Sequence, residues 1–306
     1  MLISWIILII GFVLLVRGAD VFVDGAVGIA RRFRIPAIVI GTTLVAIGTS
    51  APEAAISITA ALKGSDGVSI GNVIGSNITN IFLILGITAL IGAPTIGKNT
   101  KYIELPFVGI VTIVMCLMGL WFGEISRLSA IVLLGMFMAF LGYMTVIAYK
   151  SDDKSADVKI MPLSETVVVI VAGIAALVIG ANMITESATN IARYFGVSER
   201  VIGLTLIAFG TSLPELVVCI VAALKREFDM AIGNIIGSNI FNILFVLGVA
   251  AAIRPLPFDA AFLTDGAIAL IAIIMLMMFV ARKSTLSRIA GILFLASYAA
   301  YIWYLI

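Results

Sequence analysis

Apolar residues fall along the chain in blocks of about 20, the length at which a helix crosses the hydrocarbon core of a bilayer. Short polar connections separate the blocks, which run approximately 2 to 30, 36 to 62, 69 to 92, 103 to 122, 127 to 149, 164 to 192, 198 to 224, 230 to 253, 261 to 281 and 288 to 305. The pattern predicts an all-α integral membrane protein with ten transmembrane helices. The first block lacks the basic leader of a signal peptide and its pattern recurs in mid-chain, so it reads as a retained helix.

Composition agrees. Of 306 residues, 62% are hydrophobic and 12% charged, with a mean hydropathy of +1.23. That is half the charge of a soluble domain and excludes an ordinary cytosolic protein or a disordered chain. A net charge of +2 supplies no field for nucleic-acid binding. The absence of histidine removes the commonest zinc ligand and the usual general base, which argues against an enzyme. Cys116 and Cys219 stand alone in apolar runs and read as packing residues. Lys and Arg settle the expected orientation in the cell membrane: with the N-terminus outside, thirteen fall in cytoplasmic connections and five outside. The expectation is N-out and C-out.

Shifted by 162 residues, the chain matches itself without a gap. VIGTTLVAIGTSAPE at 39 to 53 lies on VIGLTLIAFGTSLPE at 201 to 215, identical at 11 of 15 positions, and IGNVIGSNITNI at 70 to 81 lies on IGNIIGSNIFNI at 232 to 243, identical at 10 of 12. Each copy holds five predicted spans. Because five is odd, the second copy enters the membrane in the opposite sense, giving two inverted five-helix repeats at 1–149 and 164–306. The charged segment 150–163 between them reads as a cytoplasmic linker.

Glu53 and Glu215 occupy matching places in the second and seventh spans and read as the only carboxylates deep in the apolar blocks. An ionised carboxylate at that depth costs about 2.5 to 3.5 kcal/mol, so it marks function by default. The nearest cations along the same helices, Lys63 and Lys225, lie about 15 Å away at helical rise. No Lys or Arg occurs in the third or eighth span, so a mobile cation or a proton must meet the charge. Pro52 and Pro214 deprive the carbonyls of Gly48 and Gly210 of their donors and predict a broken helix with free carbonyl oxygens. Thr49 and Thr211 lie one turn from the glutamates on the same face. Ser76 with Asn80, and Ser238 with Asn242, share a face in the third and eighth spans. Asn72, Asn77, Asn234 and Asn239 are equally open to packing and to ligation. Carboxylates, amides, hydroxyls and carbonyls without sulfur or imidazole are the set a hard cation selects, calcium over magnesium, and sodium accepts the same oxygens. Two negative charges balance one calcium or two sodium ions.

At these blocks the sequence closely resembles the sodium/calcium exchanger family of the calcium/cation antiporter superfamily: GTSAPE with GSNITN is similar to its first α-repeat, and GTSLPE with GSNIFN to its second. The resemblance implies alternating access, with sodium influx driving calcium extrusion at usually about three sodium ions per calcium, and no cofactor. It places ion ligands at Thr49, Ser50, Glu53, Ser76 and Asn80 and at Thr211, Ser212, Glu215, Ser238 and Asn242, with carbonyls near Ala46 and Ala208. The long first and sixth spans would slide to switch access. Some members, including the potassium-dependent branch, carry Asp where this chain has Asn242, which argues against potassium coupling. The large regulatory loop of eukaryotic members is missing. A calcium/proton antiporter is the alternative, although its family typically has a Glu soon after Gly-Asn that GNVIGSN and GNIIGSN lack. A channel is disfavoured because the internal two-fold belongs to a single chain, which is expected to function as a monomer. Asp20 in the first span reads as a surface carboxylate that concentrates cations, or as a partner of Arg17.

Overall fold

The computed structural model describes residues 2–65, 67–150, 162–197 and 208–305. The expected linker lies mostly outside the described residues, as does the start of the seventh span at 198–207. The helices are α1 (Leu2–Phe33), α2 (Ala37–Thr49), α3 (Ala51–Lys63), α4 (Val68–Ile91), α5 (Thr100–Phe122) and α6 (Arg127–Lys150) in the first half. The second half holds α7 (Leu163–Tyr194), α8 (Ala208–Thr211), α9 (Leu213–Leu224), α10 (Phe228–Ile253), α11 (Ala260–Lys283) and α12 (Arg288–Leu305). Eight of these are long and apolar enough to cross a membrane among the described residues, and α2 with α3 forms a ninth span bent by 49°. The short apolar helix α9 stands where the seventh span is expected.

The outer helices turn Leu, Ile and Val outward, with Trp121, Tyr149 and Trp303 exposed at helix ends, as interfacial aromatics are. By contrast, α4 and α10 are central: 72% and 83% of their most apolar windows are buried, against 22 to 39% for the other single spans. These central helices carry the Ser and Asn motifs. The polar residues therefore face protein, as residues too costly to expose to lipid must.

Inversion is visible in how α1 meets α7. A Cβ placed on Gly11 would lie 3.1 Å from the Gly180 carbonyl, and one on Gly18 would lie 3.1 Å from the Gly173 carbonyl. Gly11 corresponds to Gly173 and Gly18 to Gly180 under the 162-residue shift. As numbers rise along α1, those of its partner fall, so equivalent helices run antiparallel and the repeats are related by a two-fold axis. Small residues allow the close approach, which in a membrane is driven by packing rather than by water. The same symmetry appears in the connections. Ile96 N–H donates to the Ser284 carbonyl at 2.6 Å, while Phe258 N–H, its counterpart, donates to the Gly123 carbonyl at 2.9 Å.

Candidate functional site

The site is built on two breaks. Ser50 (φ −84°, ψ 11°) separates α2 from α3, and Ser212 (φ −85°, ψ 4°) separates α8 from α9. Pro52 and Pro214 sit at the start of the second half-helix in each case, where a missing N–H and the ring's clash with the preceding turn do no harm. The broken helix read from sequence is thus present in both halves. Its consequence is that Glu53 and Glu215 lie in the first turn of a half-helix, at the positive end of its dipole.

Both glutamates are buried, and each is met by a serine of the other half. Ser50 Oγ donates to Glu215 Oε1 at 2.7 Å and lies 2.9 Å from Ser238 Oγ. Ser212 Oγ lies 3.4 Å from Glu53 Oε1 and 3.5 Å from Ser76 Oγ. Thr49 Oγ1 donates to Asn234 Oδ1 at 3.0 Å, and Thr211 hydrogen-bonds Glu53. The Ala46 carbonyl accepts the Ser50 N–H at 3.0 Å and lies 3.4 Å from Thr49 Oγ1. The backbone of Ala208 opens α8, and its side chain is outside the described residues. Asn80 and Asn242 each begin a widened, five-residue turn in α4 and α10. Such turns recur at functional sites because they re-aim side chains. Nothing in the residue pattern announced them.

The electrostatics are unusual. No ion pair to a Lys or Arg involves either glutamate among the described residues. Five buried side-chain oxygens there lack a hydrogen-bond partner, and four of them are Glu53 Oε2, Glu215 Oε2, Asn80 Oδ1 and Asn242 Oδ1. The fifth is Tyr143 Oη. A buried acceptor left unpaired costs about 1 to 3 kcal/mol, more when charged. At the four motif-bearing segments the cost falls on acceptors alone, one from each, and a bound cation would remove it.

Several readings need correction. Glu104, near the start of α5, is a third buried carboxylate; Thr100 Oγ1 donates to it at 2.8 Å, and it lines a cavity of about 480 Å³ with Lys98, Lys150 and Asp229. Asp20 is neither free nor paired with Arg17: its Oδ1 lies 2.8 Å from Lys225 Nζ, which also reaches Asp24 Oδ1 at 2.6 Å. Cys219 is more than packing, since its thiol accepts from Asn234 Nδ2 at 3.3 Å, as the corresponding Ser57 accepts from Asn72 Nδ2 at 3.0 Å. Sequence could not assign Asn77 and Asn239. They bond to each other across the halves and to Asn242 and Asn80.

Known proteins resemble the chain in sequence and fold. The family profile described as "Sodium/calcium exchanger protein" matches residues 3–146 and 165–306. A protein of Alkalimonas amylolytica named putative antiporter CaxA is 38% identical, over 98% of each chain. The sodium/calcium exchanger MaX1 of Methanosarcina acetivorans is 32% identical, over 98% of this chain and 97% of its own. Among solved structures, the sodium-calcium exchanger NCX_Mj soaked with sodium and strontium superposes with a TM-score of 0.88 at 35% identity, covering 98% of each chain. With the motifs in both halves and the profile spanning nearly the whole sequence, the chain belongs to the sodium/calcium exchanger family of cation antiporters.

Proposed function

We propose that the protein exchanges sodium for calcium by alternating access, extruding calcium as sodium flows in. The ion site comprises the side chains of Thr49, Ser50, Glu53, Ser76, Asn80, Thr211, Ser212, Glu215, Ser238 and Asn242, supplemented by the carbonyls of Ala46 and Ala208. The observation that carries this reading is the set of four buried, partnerless oxygens, Glu53 Oε2, Glu215 Oε2, Asn80 Oδ1 and Asn242 Oδ1. Hydroxyls complete an all-oxygen shell of the kind a hard, flexibly coordinated cation takes. Two carboxylates neutralise calcium, whereas three sodium ions would leave one positive charge over, so exchange moves net charge.

Access is supported by a difference between the halves. On one side α1 packs along α9, tied by Lys225 to Asp20 and Asp24. The matching residues on the other side are Lys63, Asn182 and Glu186, and no ion pair joins Lys63 to Glu186 among the described residues. There, a cavity of about 340 Å³ between α3 and α7 reaches Pro52 and Thr211 beside the glutamates. Two halves of matching sequence thus hold different arrangements, as the two gates of an alternating-access transporter do.

The test is calcium uptake into vesicles reconstituted with the purified protein. Uptake is expected to follow an outward sodium gradient, to ignore potassium and to respond to membrane potential. Uptake driven by a pH gradient without sodium, and indifferent to potential, would establish the proton-coupled alternative instead.

In the cell membrane we place both termini outside, the linker 150–163 inside between repeats 1–149 and 164–306, and a single chain as the working unit. Cysteines introduced at Ser65 and Lys150, after Cys116 and Cys219 are replaced, are expected to label from opposite faces of sealed cells. Labelling of both from one face would undo this topology. Calcium uptake that falls only in proportion to the active fraction when active chains are mixed with inactive ones would uphold the monomer, and a steeper, dominant loss would refute it.

A further inference from the structure

Asn77 and Asn239 fall outside the ion-binding set proposed above, yet they sit at its back, where α4 and α10 cross. Asn77 Nδ2 donates to the Asn239 carbonyl at 3.1 Å, and Asn239 Nδ2 donates to the Asn77 carbonyl at 3.5 Å. A backbone carbonyl can only accept, so these two bonds fix which end of each amide is nitrogen. The amide oxygens must then point elsewhere. Asn77 Oδ1 receives Asn242 Nδ2 at 3.2 Å, and Asn239 Oδ1 receives Asn80 Nδ2 at 2.9 Å. Because an oxygen cannot face an oxygen, Asn80 and Asn242 are held with their nitrogens toward the clasp. Their oxygens are left buried and partnerless.

We infer that Asn77 and Asn239 are positioning residues of the exchanger: each fixes the flip of the ligand amide contributed by the opposite half, so that an oxygen and never an NH₂ meets the cation. This rests on the reading of Asn80 and Asn242 as cation ligands. The distinction matters for asparagine in particular. Its two ends have nearly the same shape and opposite polarity, so an unclamped amide would turn a donor toward a positive ion. Aspartate has no such wrong end. The reciprocity across the two-fold also means that neither half completes its own ligand.

The decisive experiment is a double-mutant cycle on equilibrium binding of radioactive calcium to the purified protein. Asn239→Leu removes the acceptor while keeping similar volume, and is expected to raise the half-saturating calcium concentration about tenfold or more. In an Asn80→Asp background, where either oxygen serves, the same change is expected to shift it less than about twofold. The second pair, Asn77→Leu with and without Asn242→Asp, is expected to behave alike. Equal losses in both backgrounds would overturn the inference, as would misfolding of Asn239→Leu that Asn80→Asp does not rescue, because either outcome makes the clasp merely structural. If the unmodified protein bound no calcium, the exchange reading would fail rather than the clasp.

Discussion

Glu53→Gln and Glu215→Gln are each expected to abolish calcium transport in a protein that still inserts and folds. Each change keeps the side chain's size and one acceptor oxygen for the opposing serine, Ser212 or Ser50. What it removes is half the charge that offsets a divalent cation. Taking one partner from a buried charge pair costs about 3 to 5 kcal/mol, a factor of about 100 or more in affinity. The ion-free variants should melt no lower than the parent, because a buried carboxylate with no Lys or Arg beside it is itself a cost that glutamine relieves. Calcium uptake at the parental rate by either variant would remove the glutamates from the site.

The second large effect is steric. At Gly237 an added Cβ would collide with the Thr42 carbonyl oxygen and fall 2.7 Å from the Ala46 Cβ. At Gly233 it would lie 2.6 Å from the Ile38 carbonyl oxygen, and at Gly41 2.6 Å from that of Met230. Here α2 and α10 cross backbone to backbone, and no flexible side chain can yield. Gly237→Val must therefore push α10 away, carrying the adjacent Ser238 from its 2.9 Å contact with Ser50. The expected result is a loss of about 3 kcal/mol or more, seen as a clearly lower melting temperature in detergent, with transport gone. Gly135→Val, at an exposed position where a Cβ meets nothing within 4 Å, is the comparison and should transport normally. Normal melting and transport in Gly237→Val would show that the crossing tolerates separation.

Much of this molecule is written in its residue pattern because lipid permits few alternatives. Spans must be apolar and about 20 residues long, so their positions are legible, and an odd number of them in each gapless repeat forces inversion. The buried glutamates and the prolines before them were equally readable, since a charge at midplane and a missing N–H each have a fixed physical meaning. The rest depends on distances between helices that sequence spacing cannot supply. Pro52 announces a break in the second span, but the size of the bend, 49°, and its place at Ser50 come from the geometry. The widened turns at Asn80 and Asn242 leave no mark in hydropathy or residue spacing. Asn77 could equally have packed or ligated until its partners in the other half were known. Lys225 reads in the sequence only as the nearest cation along the helix of Glu215, and its bonds to Asp20 and Asp24 of α1, about 200 residues away, come from the fold.

The central claim is that sodium and calcium occupy one site shared by the two halves. Equilibrium binding of radioactive calcium to the purified protein, titrated with sodium at constant ionic strength, addresses it most directly. The account predicts one calcium per chain, fully displaced by sodium with a steepness above that of a single competing ion, and unaffected by potassium. Calcium that stays bound at saturating sodium would contradict it.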